Sequence, residues 1–362
     1  MSTQRIHYLD SVRAFAMYIG IILHATIPFL PWYGDYEEKD GYGILVLLIH
    51  GFRMPLFMII SGFFAEMIIN KRGVINFIDN RLRRIGLPYL VFVPIITILF
   101  ISTYWIGSIF VDWDSINLTR EAKESKDNEE FNHGHLWFMY FLLIFTFIYS
   151  IIIYFLNAIS IKIKTIYCLI AMIFMSLFFL IFQPEEVIAR PATDLNFFPH
   201  WSILGYYFTF FLFGALFFKL ENNGHSFIEK LSKKQKLFYV FPFASFIICL
   251  FLSENKILLI GELFNFIYTW SSILVIVLIF YKFINKSSSK IRYLSNASYY
   301  IYIIHIPFII LFQGILSRLE VHNFIKFIII IFLTTIFSII SYHYFVRNTL
   351  VGILLNGKKL KG

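Results

Sequence analysis

Two side chains suited to acid–base and anion-binding chemistry, Arg13 and His24, lie in the first apolar stretch of the chain, residues 7 to 29. They are eleven residues apart, about three turns of an α-helix, so a helix places them on nearly the same face. Their Cα atoms are then about 16 Å apart, too far for a hydrogen bond but suited to the two ends of one elongated substrate. Asp10 comes one turn before Arg13, where its carboxylate is predicted to neutralise or orient the guanidinium.

Each of these residues also has a purely structural interpretation. Arg13 lies about 5 Å inside the expected cytoplasmic boundary, where its side chain can reach the lipid headgroups as an anchor. His24 lies about 20 Å along the helix from Asp10, and a histidine at that depth can bridge two helices without taking part in chemistry. A titratable group at membrane depth costs free energy and usually faces a protein interior or a wet cavity. A functional site is therefore the second interpretation of these residues.

The composition excludes a soluble globular protein. Of the 362 residues, 59% are hydrophobic and 20% are aromatic, and the mean hydropathy is +0.73. Apolar runs of about twenty residues recur along the chain, as expected for helices that cross a bilayer. We therefore expect an all-α, polytopic transmembrane helical bundle that forms one integral-membrane domain over residues 1–362.

About ten membrane spans are expected, and the segments that connect them alternate in charge. Residues 70–84 form a basic connection, whereas residues 112–134 form an acidic one. Because basic connections stay in the cytoplasm, both termini are predicted to be cytoplasmic, and the net charge of +9 needs no nucleic-acid partner. The expected spans are roughly residues 9–31, 44–69, 85–111, 135–157, 165–183, 200–218, 237–253, 258–281, 295–316 and 325–346.

Four further polar residues within the apolar runs are candidates for a site. His50 and Arg53 share a face about one turn apart in the second expected span, and His24 approaches a similar depth from the first. These three are expected to converge on one cavity in the outer half of the membrane. His135 and His305, in later spans, are candidates for the same polar region. No histidine pair at helical spacing is accompanied by carboxylates or cysteines, so the sequence does not indicate a metal site.

Arg81 and Arg84 lie one helical turn apart in the basic connection that follows the second expected span. A pair of guanidinium groups binds nucleotide phosphates well, because each can donate two parallel hydrogen bonds. An anchor at the edge of the membrane would have the same pattern, and both interpretations stay open.

Residues 8–24, YLDSVRAFAMYIGIILH, resemble the opening of the membrane-bound acyltransferase-3 superfamily. The hallmark of that family is an arginine, ten intervening residues and a histidine, matched here by Arg13 and His24. FRMPLFMIISGFF, the pair Arg81 and Arg84, HLWFMYFLL, FFLFGALFF and NASYYIYIIHIPF fit the family as well. HGFRMPLF, HLWF and NASxxIYxxH favour the glucan-biosynthesis protein C subgroup, a group of glucan succinyltransferases.

The resemblance implies an enzyme that takes an acyl group from cytoplasmic acyl-CoA and places it on a sugar hydroxyl across the membrane. In this scheme His24 corresponds to the general base on the acceptor hydroxyl. Arg13, with Asp10 beside it, holds the CoA or its thioester end, whereas Arg81 and Arg84 hold the phosphates. The acceptor-side or oxyanion candidates are His50, Arg53, His135 and His305. An acyl-histidine intermediate is the competing mechanism.

The resemblance also implies the substrates and the location. The donor would be succinyl-CoA or acetyl-CoA and the acceptor a glycan such as a periplasmic glucan, with no permanently bound cofactor and no metal. The expected setting is the bilayer of a bacterial inner membrane, as a homodimer or in a glycan-synthesis complex. A different class, a transporter or flippase for a polysaccharide precursor or an anionic metabolite, would use the same buried charges to line a permeation path.

Overall fold

The computed structural model describes residues 6–29, 41–110, 133–159, 164–184, 191–222, 227–233, 238–255, 257–285, 288–317 and 319–356. Nearly all of these residues are helical, and the described segments contain no β-strand, which confirms the expected all-helical fold. Most of the acidic connection at residues 112–134 lies outside the described residues. The cytoplasmic placement of the termini therefore stays a prediction.

The helices are connected by short turns, by the irregular segment 191–200 before α6, and by segments outside the described residues. A π-helical turn, Leu82–Gly86, joins α2 to α3, and a short 3-10 turn, Gly134–Leu136, precedes α4. In chain order the helices are α1 (His7–Thr26), α2 (Gly41–Arg81), α3 (Leu87–Phe110), α4 (Trp137–Ile159), α5 (Thr165–Ile181), α6 (Trp201–Asn222), α7 (Phe227–Ser232), α8 (Val240–Glu254), α9 (Leu258–Phe283), α10 (Ser289–Ser317), α11 (Asn323–Ser341) and α12 (Leu350–Asn356).

Six helical stretches of the described chain are long and apolar enough to cross a bilayer. One of them, Gly41–Thr103, has 63 residues and contains α2 and most of α3, so that it covers two expected spans. α5 and α8 are apolar but shorter, and α1 is not among the six. The stretches are Gly41–Thr103, Gly134–Leu156, Trp201–Asn222, Leu259–Phe283, Ser289–Ser317 and Asn323–Val346. They support a polytopic membrane protein, and the number of ten spans stays a prediction.

α2 reverses its direction at Gly73, whose φ of 78° and ψ of 169° interrupt the helix in a region that favours glycine. Arg81 donates from Nη2 to the carbonyl oxygen of Ser61 at 3.4 Å, although the two are 20 residues apart. A straight helix would separate them by about 30 Å, so the segment after Gly73 folds back along the first part. Residues 70–84, which the sequence indicates only as a basic connection, are thus helical and bury Phe77 completely.

α2 and α6 cross through a pair of glycines. A Cβ atom on Gly62 would lie 1.8 Å from the carbonyl oxygen of Phe211, and one on Gly214 would lie 1.9 Å from that of Ile59. Only a hydrogen atom fits at either position, so the two backbones are in direct contact, as in membrane helix pairs with small residues at the crossing. This crossing fixes α2, the helix that positions Arg53.

α1 is enclosed by other helices of the bundle. It packs against α2, α9, α10 and α11, and its Val12 and Ala25 are completely buried. α1 therefore presents its polar residues to protein, which is the arrangement that the cost of a charged group in lipid favours.

Candidate active site

Three histidines that are far apart in the sequence form one cluster, here called the histidine centre. His24 comes from α1, His135 from the 3-10 turn before α4, and His305 from α10. The ring centroids of His24 and His305 are 5.1 Å apart, and those of His135 and His305 are 5.6 Å apart. His305 is only 1% exposed. The cluster is built where three elements meet, and each contributes one imidazole.

The backbone of α10 determines which nitrogen of His305 carries the hydrogen. Nδ1 lies 2.7 Å from the carbonyl oxygen of Tyr302 and 3.1 Å from that of Ile301. A carbonyl oxygen can only accept, so Nδ1 is the donor and Nε2 of the neutral ring holds a lone pair. Nε2 is buried and has no hydrogen-bond partner in the part of the chain that the structure describes. His305 therefore presents a proton acceptor to the centre of the cluster.

His135 is oriented by a carbonyl group that a proline leaves without a helical donor. Pro307 has no backbone N–H, so α10 cannot form the usual hydrogen bond to the carbonyl oxygen of Ile303. His135 fills this place and donates from Nε2 to that oxygen at 2.9 Å. The hydroxyl of Tyr302 donates in turn to the backbone oxygen of His135. These two bonds hold the turn before α4 against α10.

Arg53 supplies a positive charge beside the histidine centre. Gly20 has no side chain and leaves the space that the guanidinium of Arg53 occupies. The side chain of Arg53 is 7% exposed, and a Cβ atom on Gly20 would lie 2.3 Å from its Nη1. Gly20 is one turn before His24 on α1, so the guanidinium lies beside the base candidate. Its charge acts on all three rings of the histidine centre, and His50 also acts on His24. The Nε atom of Arg53 is buried without a partner among the described residues.

A small cavity, with room for about one water molecule, lies next to Arg53. Part of its wall belongs to the face of α1 between Arg13 and His24, and the rest comes from α2, α4 and α10. The residues that enclose it include Ala16, Met17, Arg53, Phe57, Phe138 and Tyr302.

Three arginines form a second polar cluster, here called the arginine group: Arg13, Arg81 and Arg84. The positive charges of Arg13 and Arg84 act on Arg81, and that of Arg13 acts on Arg84, so the three lie close enough to repel one another. Arg13 donates from Nη2 to Ser295 Oγ at 2.9 Å and lies 3.4 Å from a carboxylate oxygen of Asp10. Like charges held together in this way form a strongly positive site, which an anion would stabilise.

Arg81 and Arg84 are held by contacts that leave much of their hydrogen-bonding capacity unused. Arg81 lies over the ring of Phe77 at 5.3 Å and donates a long hydrogen bond to Ser61. The backbone oxygen of Arg84, and not its guanidinium, accepts a hydrogen bond from the hydroxyl of Tyr299 at 3.2 Å. In the described segments neither guanidinium is paired with a carboxylate, whereas Arg83, which lies between them, forms an exposed ion pair with Asp79 at 2.8 Å.

Comparison with known families identifies the chain. The Acyl_transf_3 model, an acyltransferase domain, matches residues 6–343. This chain belongs to the acyltransferase-3 family. Together with its apolar helices, the match makes the chain a membrane acyltransferase.

Proteins similar to this chain occur in Escherichia coli. The glucans biosynthesis protein C of Escherichia coli O139:H28 (strain E24377A / ETEC) is 24% identical over 388 residues, which cover 98% of this chain and 95% of that protein. The protein of the same name from Escherichia coli O1:K1 / APEC is 24% identical over 387 residues, with the same shares covered. No solved structure matches the chain.

The structure brings the candidates of this acyltransferase-3 protein into two groups. His24, His50, Arg53, His135 and His305 lie in or beside the histidine centre. The other candidates are Arg13, Arg81 and Arg84, which form the arginine group, and Asp10, which lies beside Arg13. α1 is unbroken from His7 to Thr26, so its regular rise separates the two groups along one helix.

Several contributors to the site were not predicted from the sequence. Gly20 makes room for Arg53, and the hydroxyl of Tyr302 fixes the backbone of His135. Ser295 receives a hydrogen bond from Arg13. One signal was available for part of this arrangement, because Pro307 shows in the sequence that the carbonyl of Ile303 needs an external donor.

Proposed function

We propose that this protein transfers an acyl group from cytoplasmic acyl-CoA to a hydroxyl group of an extracytoplasmic glycan, such as a periplasmic glucan. The single observation that carries the proposal is the placement of the arginine group and the histidine centre along one helix, with Arg53 beside the histidine centre. The names of the Escherichia coli relatives support a glucan as the acceptor.

The arginine group supplies the donor site. Arg81 and Arg84 bind the phosphates of CoA, because phosphate oxygens take up the donors that the protein leaves unused. Arg13 receives the pantetheine end, and the roughly 16 Å of helix from Arg13 to His24 is shorter than an extended pantetheine arm. The thioester thereby reaches the histidine centre while the nucleotide stays at the cytoplasmic face.

His24 acts as the general base. It takes the proton of the acceptor hydroxyl while the hydroxyl oxygen attacks the thioester carbonyl carbon. The bond from carbon to sulfur then breaks, and the CoA thiolate leaves with the proton from His24, so the histidine returns to its neutral form. In the competing mechanism His24 attacks the thioester carbonyl carbon and expels the CoA thiolate, which forms an acyl-histidine; the acceptor hydroxyl then attacks this intermediate, gives up its proton and releases the imidazole.

Arg53 stabilises the negative charge that develops on the carbonyl oxygen. The neutral forms of His135 and His305 are unsuited to this task, because each already donates its hydrogen to a backbone carbonyl of α10. These two rings offer acceptors instead and favour hydroxyl binding or proton transfer. Arg53 keeps a charged donor beside His24, which is the requirement for stabilising an oxyanion.

The acyl group is succinyl or acetyl in this proposal. A succinyl group carries a free carboxylate, and Arg53 is the group within the histidine region that can pair with it. We place the protein in the bacterial inner membrane, where it reaches both acyl-CoA and the glycan and works as a homodimer or in a glycan-synthesis complex.

CoA release by purified protein, reconstituted with a glucan acceptor, tests the proposal. His24→Ala should abolish release, whereas His322→Asn should leave it unchanged, because His322 is an exposed cap of α11 that asparagine can replace. A transporter or flippase would release no CoA. Turnover by the His24→Ala protein at the wild-type rate would contradict the assignment of the base, and mass spectrometry of the glucan identifies the transferred group.

A further inference from the structure

His24 and His305 each bury one ring nitrogen that has no hydrogen-bond partner among the described residues. The two atoms are Nδ1 of His24 and Nε2 of His305. A buried polar atom without a partner costs free energy, so two of them in adjacent rings need a physical explanation. The ring centroids are 5.1 Å apart, and the ring planes are tilted by 53°. A rotation of the side chains at this separation brings facing nitrogens to about 3 Å, the length of a hydrogen bond.

The backbone of α10 fixes the direction of a hydrogen bond between these two rings. The carbonyl groups of Ile301 and Tyr302 keep the hydrogen of His305 on Nδ1, so its Nε2 can only accept. Nδ1 of His24 is then the donor. Since a neutral imidazole carries one such hydrogen, the lone pair of His24 is left on Nε2, at the end of the ring farthest from the backbone.

We propose that His305 is the positioning residue of His24, because it accepts the hydrogen of Nδ1 and thereby holds Nε2 as the general base. The inference rests on the proposed function and adds the group that sets the tautomer of the base. An aspartate performs this task in Ser-His-Asp triads. Here the acceptor is a neutral ring whose own hydrogen is held by two carbonyl groups.

The proton balance of the reaction is unchanged by this pair. Nε2 of His24 takes the proton of the acceptor hydroxyl and later gives it to the CoA thiolate, while Nδ1 keeps its hydrogen throughout. The imidazolium that exists between these two steps donates from Nδ1 to Nε2 of His305. A hydrogen bond to a charged group is stronger than one between neutral groups, so His305 stabilises the protonated base more than the neutral one.

The other groups around His24 are less suited to this task. The groups that act on His24 are, from the strongest to the weakest, His305 of α10, Arg53 of α2, His135 of the turn before α4 and His50 of α2. None of these four is a carboxylate. A guanidinium has no acceptor, and the charge of Arg53 opposes a second positive charge on His24. His305 combines the strongest effect with an acceptor of fixed position.

Steady-state CoA release by the full-length protein measures the contribution of His305. His305→Phe keeps a ring and removes the acceptor. It should lower kcat about 100-fold and leave the KM for acyl-CoA unchanged, because the base presents the wrong tautomer to the acceptor. His305→Gln should recover about tenfold of this loss, since its amide oxygen takes the place of Nε2.

Gln313→Leu is the matched control on the same helix. Gln313 lies about two turns after His305, is also buried, and has an Oε1 atom without a partner in the described part of the chain. The control should change neither kcat nor KM. Equal losses of kcat in His305→Phe and Gln313→Leu, or a raised KM with unchanged kcat in His305→Phe, would overturn the role of His305 and leave the proposed function intact.

Nuclear magnetic resonance of isotope-labelled histidine nitrogens reads the tautomer of His24 without turnover. A nitrogen that carries a hydrogen and one with a lone pair differ in chemical shift, and the His24→Gln protein assigns the signals. Wild-type protein should carry the hydrogen on Nδ1, whereas His305→Phe should shift it to Nε2 in part of the molecules. A wild-type His24 with its hydrogen on Nε2 would overturn the positioning role even in a protein that releases CoA. Wild-type protein that releases no CoA would overturn the proposed function and, with it, the role of His305 in catalysis.

Discussion

His135 donates a hydrogen bond from Nε2 to the backbone oxygen of Ile303, the oxygen that Pro307 deprives of its helical donor. The same arrangement occurs at a second proline. Pro55 leaves the carbonyl oxygen of Gly51 without a helical donor, and Thr269 donates to it from Oγ1 at 2.8 Å. In both places a proline in one helix creates a point of attachment for another element.

The bond between His135 and Ile303 predicts a coupling with Pro307. His135→Ala should lower the free energy of unfolding by about 1–3 kcal/mol, because it leaves a buried carbonyl oxygen without a donor. In a Pro307→Ala background the restored N–H supplies that donor, and the loss should be smaller. Denaturation of the four proteins in one detergent measures the coupling. An equal loss in both backgrounds would show that the proline does not create the attachment point.

Gly20 is predicted to be essential for activity and dispensable for folding. Gly20→Ala should lower CoA release about 100-fold, because the added methyl group displaces the guanidinium of Arg53 by about an ångström or more. The helix itself should tolerate alanine well. Gly43→Ala is the control, since nothing lies within 4 Å of a Cβ at that position. Wild-type activity of the Gly20→Ala protein would refute a catalytic role for the position of Arg53.

Arg81 and Arg84 are predicted to act on donor binding. Replacing either residue by alanine should raise the KM for acyl-CoA about tenfold with little change in kcat, because a lost charge-assisted hydrogen bond weakens ground and transition states alike. Lysine should restore part of the affinity, since it keeps the charge and loses the planar fork. Arg83→Ala is the matched control within the same turn, because Arg83 pairs with Asp79 at the surface. An equal KM effect at all three arginines would indicate an unspecific surface charge.

The stability of the protein is predicted to fall at acidic pH through His133. Burial lowers the pKa of this histidine, and the opposing effect of Asp194 is smaller. The folded protein therefore keeps the ring neutral at pH values where the unfolded chain protonates it, so stability is lost as the pH falls below about 6.5. His133→Gln should reduce this loss. Melting curves between pH 7.5 and pH 5 measure it, and identical pH dependence of the two proteins would exclude His133 as the cause.

Much of the architecture follows from the sequence because it depends on local rules. The eleven-residue spacing of Arg13 and His24 translates directly into geometry, since α1 is regular from His7 to Thr26. The all-helical fold follows from apolar runs that must satisfy their own backbone groups in lipid. The reversal at Gly73 was missed, because a single glycine in a basic segment indicates a loop as readily as a helix that folds back.

The histidine centre could not be deduced in the same way. His24, His135 and His305 meet through contacts between α1, α10 and the turn before α4, and no local pattern fixes which faces of these elements meet. The tautomer of His135 depends on its contact with α10, whereas that of His305 depends on a side-chain conformation that the sequence does not reveal, so the sequence left His305 open as an oxyanion donor. The observed hydrogen bonds at Nδ1 favour an acceptor role instead.

The crossing of Gly62 and Gly214 limits how this bundle can open for its substrates. Sliding α2 along α6 would push the carbonyl group of each helix into the backbone of the other. The two helices therefore behave as one rigid unit. Arg53 lies on α2, so this crossing fixes its position relative to α6. Movement that admits the acceptor of the proposed reaction must then occur at other helix contacts, such as those of α10, which carries His305.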